Sequence, residues 1–322
     1  MNFYSHSKQL AQYQQDIEQH WQSCQQGYFS AKTAKLFYAY HIPKAAKYSV
    51  VLVNGRIESV WKYQELLWEF AKNNIAVFSY DHIGQGLSPR IVSNSHIGHV
   101  ERFSDYTDDL HCFVKSVVEP NAVGSTFILG HSMGGAISYN YLANYPHQMS
   151  GAFLSAPMFD IHTHEVPYSL AKLVAHTGSL LGFSKHYAFG QSDYDPPEFW
   201  ENKLTQCAIR YQRFRTLYQN EPELRLGGVS FNWLSQAFNI ITKLPTFTPN
   251  IPTHIASAEH DVIVNNHAQV AIAKSHPNIS ISHFANARHE LLCEVDDIRH
   301  AVLAEMYHFY DALAFTAKET GS

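Results

Sequence analysis
Ser132 lies in Gly130-His131-Ser132-Met133-Gly134, between an apolar run, Ser125-Thr126-Phe127-Ile128-Leu129, and a segment, Ala136 to Leu142, with apolar residues at helical spacing. A G-x-S-x-G at a strand-to-helix turn holds the serine hydroxyl clear of the sheet, and its glycines lack the Cβ atoms that would clash in so tight a bend. A serine hydroxyl is a poor nucleophile at neutral pH, so it needs a base, and the base needs an orienting acid. Where the elbow heads such a set, the chain order is serine, then acid, then histidine. Asp261, in the turn Ala258 to Val264 after an apolar strand, is the expected acid, with Glu259 in reserve. His289, just past the last apolar strand, is the expected base, while His276 and His283 read as structural. The oxyanion of an acyl-transfer intermediate needs two donors: the N–H of Met133, and an N–H from the turn after Val53, expected at Arg56. Gly55 lets that turn come close to the substrate.

These residues must be held by a frame. Apolar strands are expected at Gly27–Ser30, Lys35–Ile42, Tyr48–Val53, Ile75–Tyr80, Ser125–Leu129, Gly151–Ser155, Thr253–Ala256 and Ile279–Phe284. Helices are expected over about 58–72, over Phe103 to Val117, after the elbow, and over about 295–316. Strands alternating with amphipathic helices predict an α/β fold, a mainly parallel sheet covered on both faces. The alternation breaks after Phe159. The expected organisation is therefore a polar helical lead-in over 1–26, a core over 27–159 and 247–322, and a helical, aromatic insertion over 160–246 that folds over the elbow's edge of the sheet. A second globular domain beside the first is the alternative.

Bulk composition narrows the partners. With 322 residues and 45% hydrophobic content the chain can bury a large core, and its 20 Phe, 19 Tyr and 5 Trp are more than an ordinary share. The net charge of −5 argues against nucleic acid and gives no general attraction to anionic membranes. The first 26 residues lack the apolar core of a secretory signal, and no run is long enough for a membrane span. Cys24, Cys112, Cys207 and Cys293 form no C-x-x-C pair and read as reduced thiols of a cytoplasmic protein. The 21 histidines include His162 and His164, yet no metal-site spacing accompanies them, and no metal is expected.

Longer stretches carry a resemblance. The elbow Gly130 to Ser138 is similar to the α/β-hydrolase branch that holds monoacylglycerol lipases and lysophospholipases. The lysophospholipase L2 type is matched by Gly55-Arg56-Ile57-Glu58-Ser59, Asp81 to Ser88, Gly98 to Tyr106, Ser155 to Phe159, Arg210-Tyr211 and Gly227 to Trp233. Asn54 replaces a common histidine, and Ile83 a common arginine. The resemblance, which runs from about Gly27 to Phe309, implies cleavage of a fatty acyl ester of a glycerol-based lipid without metal or organic cofactor. Lysophospholipid is the expected substrate. A monoacylglycerol lipase, a broad carboxylesterase or a non-catalytic lipid- or protein-binding relative are the alternatives. A dehalogenase or epoxide hydrolase of this fold would need aspartate at Ser132.

Gly55, His131, Arg210 and Trp233 complete the expected substrate-binding set. Arg210, Arg213 and Arg215, with Lys203 near, could reach a lipid phosphate, against the plainer reading of a solvated helix face. The amphipathic stretch Tyr168 to Phe183 is expected to pack on the active-site edge, with weak peripheral contact at the inner face of the cell membrane as the alternative.

Overall fold
The computed structural model describes residues 2–163 and 166–319; His164, paired above with His162, lies outside them. Eight strands form one sheet in the order β1-β2-β4-β3-β5-β6-β7-β8. β1 (Gln25–Ser30) and β2 (Lys35–His41) make an antiparallel hairpin, and β2 joins β4 (Ala76–Tyr80) antiparallel. β3 (Ser49–Val53), β4, β5 (Thr126–His131), β6 (Met149–Ser155), β7 (Thr253–Ala258) and β8 (Ile279–Phe284) pair in parallel. Parallel strands need helical crossovers, which bury both faces of the sheet.

Alternate side chains of one strand serve two cores. From β3, Val51 and Val53 face Leu110 and Phe113 of α3 (Phe103–Phe113), Ile137 of α4 (Met133–Asn144) and Ile272 of α8 (Asn266–Ser275). Val50 and Leu52 face Trp21 of α1 (Gln14–Ser23), Leu67 and Phe70 of α2 (Gln64–Lys72), and Met306 and Tyr310 of α9 (Asp296–Glu319). α8 has no counterpart in the sequence reading. It buries only Gln269, Ile272 and Ala273, too few for a clear helical stripe.

Between β6 and β7 the chain leaves the sheet for α5 (Tyr168–Gly178), α6 (Ala208–Asn220) and α7 (Phe231–Lys243), with a long, mostly irregular connection between α5 and α6. α7 sends Trp233, Ala237 and Ile240 into the core it shares with α3 and α4. Ser230 caps it, accepting from the Trp233 N–H at 3.0 Å. The first residues are tied down at long range: Glu69 accepts from the N–H groups of Tyr4 and Ser5, and Asp296 from that of Ser7. All four cysteines are free thiols. Among the described residues, no helix is long and apolar enough to cross a membrane.

Candidate active site
β5 ends at His131, α4 begins at Met133, and Ser132 makes the corner with φ 52° and ψ −118°. That left-handed backbone is costly for a residue with a side chain, so the surroundings must impose it. They do: the Ser132 carbonyl accepts from Gly135 at 2.9 Å and Met158 at 2.9 Å, and its N–H donates to Ser155 at 3.0 Å. A Cβ on Gly134 would lie 2.1 Å from the Val53 carbonyl oxygen, so only glycine lets α4 start this close to β3.

Asp261 and His289 follow β7 and β8, beyond the same ends of the parallel strands. His289 Nε2 is 2.9 Å from Ser132 Oγ, and Nδ1 is 2.7 Å from Asp261 Oδ2. Asp261 Oδ1 accepts from the N–H groups of Ile263 at 2.8 Å and Val264 at 3.0 Å. Burial alone would raise this carboxyl. The His289 charge and hydrogen bond, with the two N–H groups, hold it below its ordinary value instead. An ionised Asp261 places a proton on Nδ1 and leaves Nε2 to accept the serine proton. All three side chains are buried. Glu259, the reserve acid, instead accepts from the Asn286 N–H.

The turn after β3 is braced from several sides. Gln85 Nε2 donates to the carbonyls of Gly55 and Glu58, both at 2.8 Å, and the Gly55 N–H donates to the Glu58 carboxylate. Asn54, in place of the common histidine, uses its amide on the Tyr80 carbonyl at 3.0 Å and so pins the turn to β4. A Cβ on Gly55 would lie 3.2 Å from Ser132 Cβ. Among the described residues the N–H groups of Arg56 and Met133 have no acceptor, as donors kept for an oxyanion require.

Beside the relay lies an ion cluster that the sequence reading left out. Lys62 Nζ is 2.8 Å from Glu58 and 2.7 Å from Glu290, and Tyr63 donates to Glu58 at 2.7 Å. Burial acts to raise the Glu58 carboxyl, but Lys62 and His131 outweigh it and bring it down to about 2. Its only signal was the i, i+4 pair Glu58/Lys62; Glu290 lies too far along the chain to be linked to it. Asp81 is another brace, accepting from Val60 at 2.7 Å and Leu87 at 2.8 Å, with burial pushing it up to about 7.

Ser132 opens on a cavity of about 850 Å³ whose walls include Arg56, His131, Met133, Trp233 and His289. Arg210, expected at the substrate, is elsewhere. It is 4% exposed and paired with Glu65 and Asp296, each at 2.9 Å, and it donates to the Glu294 carbonyl at 2.7 Å. It borders a second cavity, of about 930 Å³, between α1 and α6. This corrects the expectation: Arg210 locks α6 to α2 and α9, and it is no solvated helix face either. Of the described residues, His20, Cys24 and His41 alone bring three metal-ligand atoms together, within 4.8 Å of one another. They stand at the end of β2 that pairs with the start of β4, opposite Ser132.

The stretch Tyr168 to Phe183 packs less than expected. Ala175 is buried and the Tyr168 ring meets Phe238, but Leu180 is 85% exposed, and Leu173, Leu181 and Phe183 also face outward.

Comparisons with known proteins agree with this architecture. Over 288 residues the chain is 34% identical to the probable lysophospholipase L2 of Haemophilus influenzae, covering 88% of this chain and 90% of the relative. It is 32% identical to lysophospholipase L2 of Escherichia coli K12, over 81% of this chain and 80% of the relative. A soluble variant of monoglyceride lipase from Saccharomyces cerevisiae, solved with a substrate analog, superposes with a TM-score of 0.71 at 20% identity, over 90% of this chain and 96% of that one. Residues 44–296 match the family model described as serine aminopeptidase, S33, and with that match over most of its length the chain belongs to this family of α/β-hydrolases.

Proposed function
We propose that this protein hydrolyses the fatty acyl ester of lysophospholipids through an acyl-Ser132 intermediate. The supporting observation is the unbroken hydrogen-bonded line from Ser132 Oγ through His289 to Asp261, in a chain 34% identical to a probable lysophospholipase L2. Ser132 Oγ attacks the ester carbonyl while His289 Nε2 takes its proton, and Asp261 stabilises the imidazolium. The Arg56 and Met133 N–H groups hold the oxyanion as charge develops on it. His289 returns the proton to the leaving glycerol oxygen. Water then repeats the attack, with His289 as base, and releases the fatty acid.

Residues 160–246 act as a cap that forms the acyl and headgroup walls, Trp233 among them, over a floor that includes His131 at the end of β5. Leu180 and Leu181, with Phe189 at 81% and Trp200 at 77% exposure, give this cap an apolar exterior suited to shallow contact with a lipid surface. Flotation with phosphatidylethanolamine–phosphatidylglycerol vesicles tests that contact: Leu180→Ser/Leu181→Ser should float several-fold less than wild type, and equal flotation would remove it.

The reaction is tested by a panel of lysophosphatidylethanolamine, monoolein and p-nitrophenyl butyrate. Lysophospholipid should be turned over with the highest kcat/KM, and Ser132→Ala should lose at least about 10³-fold on all three. Full activity in that variant would exclude the acyl-serine route, and preference for monoolein would move the substrate to neutral glycerides.

A further inference from the structure
Two guanidinium groups border the Ser132 cavity without a carboxylate partner among the described residues. Arg215, on α6, is 8% exposed; its Nη1 donates to Tyr194 Oη at 3.2 Å, and its buried Nε has no acceptor. The faces of Phe214 and Tyr211 lie 4.3 and 4.7 Å from its guanidinium carbon. Arg56 donates through Nη1 to the Gly227 carbonyl at 2.8 Å and stands 5.7 Å from the Trp233 ring. Burial draws its pKa down to about 10, so it stays charged at neutral pH. Lys62, in the same wall, has Glu58 and Glu290. The rim carboxylates Asp193, Asp195 and Glu201 are exposed, and none is within ion-pair distance of either arginine.

Withdrawing a cation from water is costly, and aromatic faces return only a small part of that cost. The cavity is therefore short of negative charge beside the nucleophile. We propose that Arg215 and Arg56 take the phosphate ester of the substrate, so that headgroup charge selects lysophospholipid over neutral monoacylglycerol. This rests on the acyl-serine reading above. Arg56 also supplies an N–H at the oxyanion turn. A glycerol backbone separates ester carbonyl from phosphate by a few bonds, a span that one arginine side chain covers. The planar guanidinium matches two phosphate oxygens at once, which a lysine ammonium does not.

The test compares kcat/KM for lysophosphatidylethanolamine and a monoacylglycerol of the same acyl chain. Arg215→Gln should lower the ratio of the two at least tenfold, chiefly through KM for the phospholipid. An unchanged ratio, including an equal fall on both substrates, overturns the proposal. Should the glutamine variant unfold, Arg215→Lys and Arg56→Lys carry the same measurement: charge without the fork should lower the ratio threefold or more, and an unchanged ratio overturns it. A binding arm needs no turnover. An ether-linked lysophospholipid is titrated into Ser132→Ala protein with and without Arg215→Gln, beside inorganic phosphate. Affinity for the ether lipid should fall tenfold or more with Arg215→Gln. Equal affinity for inorganic phosphate and ether lipid would assign the arginines to free phosphate and overturn the headgroup role. If wild-type protein cleaves p-nitrophenyl butyrate through Ser132 but no lysophospholipid, the substrate reading fails, and the titration still decides what the arginines bind.

Discussion

Helix α6 carries two buried arginines five positions apart, and their surroundings are opposite. Arg210 faces the cavity under α1 and meets Glu65, Asp296 and a backbone carbonyl. Arg215 faces the cavity of Ser132 and meets a tyrosine hydroxyl and aromatic rings. The first charge is answered from within the chain and fastens elements together. The second is left for something that arrives from outside. A basic residue near an active site is thus read by the company it keeps: a carboxylate partner marks a fastening, and its absence beside a nucleophile marks recognition.

The strongest way to break this contrast is to remove the fastening. Arg210→Met leaves Asp296 without a cation and Glu65 with only the more distant Arg299, at 3.7 Å. Unfolding in urea should show a loss of about 3–5 kcal/mol, while the ratio of lysophospholipid to monoacylglycerol turnover stays at the wild-type value. A changed ratio with intact stability would return Arg210 to the substrate and dissolve the distinction.

A smaller effect sharpens it through Lys62, the paired cation that lines both cavities. Glu58 is held at about 2, below its ordinary 4.5, so between those values the unfolded chain binds more protons. Its contribution is therefore present above about pH 4.5 and is lost as pH falls toward 2. Glu58→Gln should be less stable than wild type at pH 7 and lose less between pH 5 and pH 3, measured as urea midpoints. Parallel pH curves for the two proteins would show that Glu58 is not what holds Lys62.

Much of the frame was legible because parallel strands buried on both faces read as short apolar runs, as Val50-Val51-Leu52-Val53 does. Ser132 and Asp261 were legible because each follows the end of such a run, and His289 because it follows the alternating edge strand β8; parallel strands carry all three ends to one side. α8 was not, since three buried residues in ten leave too faint a stripe. The lead-in over 1–26 was only partly so: its helix is Gln14–Ser23, and Tyr4, Ser5 and Ser7 are fixed by carboxylates far along the chain, which no local pattern reports. The roles of the α6 arginines were hidden for the same reason. Arg210, Arg213 and Arg215 look alike in sequence, and Glu65, which sets Arg210 apart, is 145 positions earlier.

The corner at Ser132 is clamped by backbone groups of Gly135, Met158 and Ser155, and by the contact of Gly134 with β3, all belonging to the sheet and its crossovers. Met158 stands just past β6, and none of those supports comes from the helices α5, α6 and α7 that follow it. The Ser132 corner is thus braced independently of those helices, whereas the turn at Arg56 and Ile57 is tied to the excursion between β6 and β7 through Gly227 and Tyr218. Appetite can drift, or be redesigned, by rewriting the overhanging helices while the reactive corner keeps its aim.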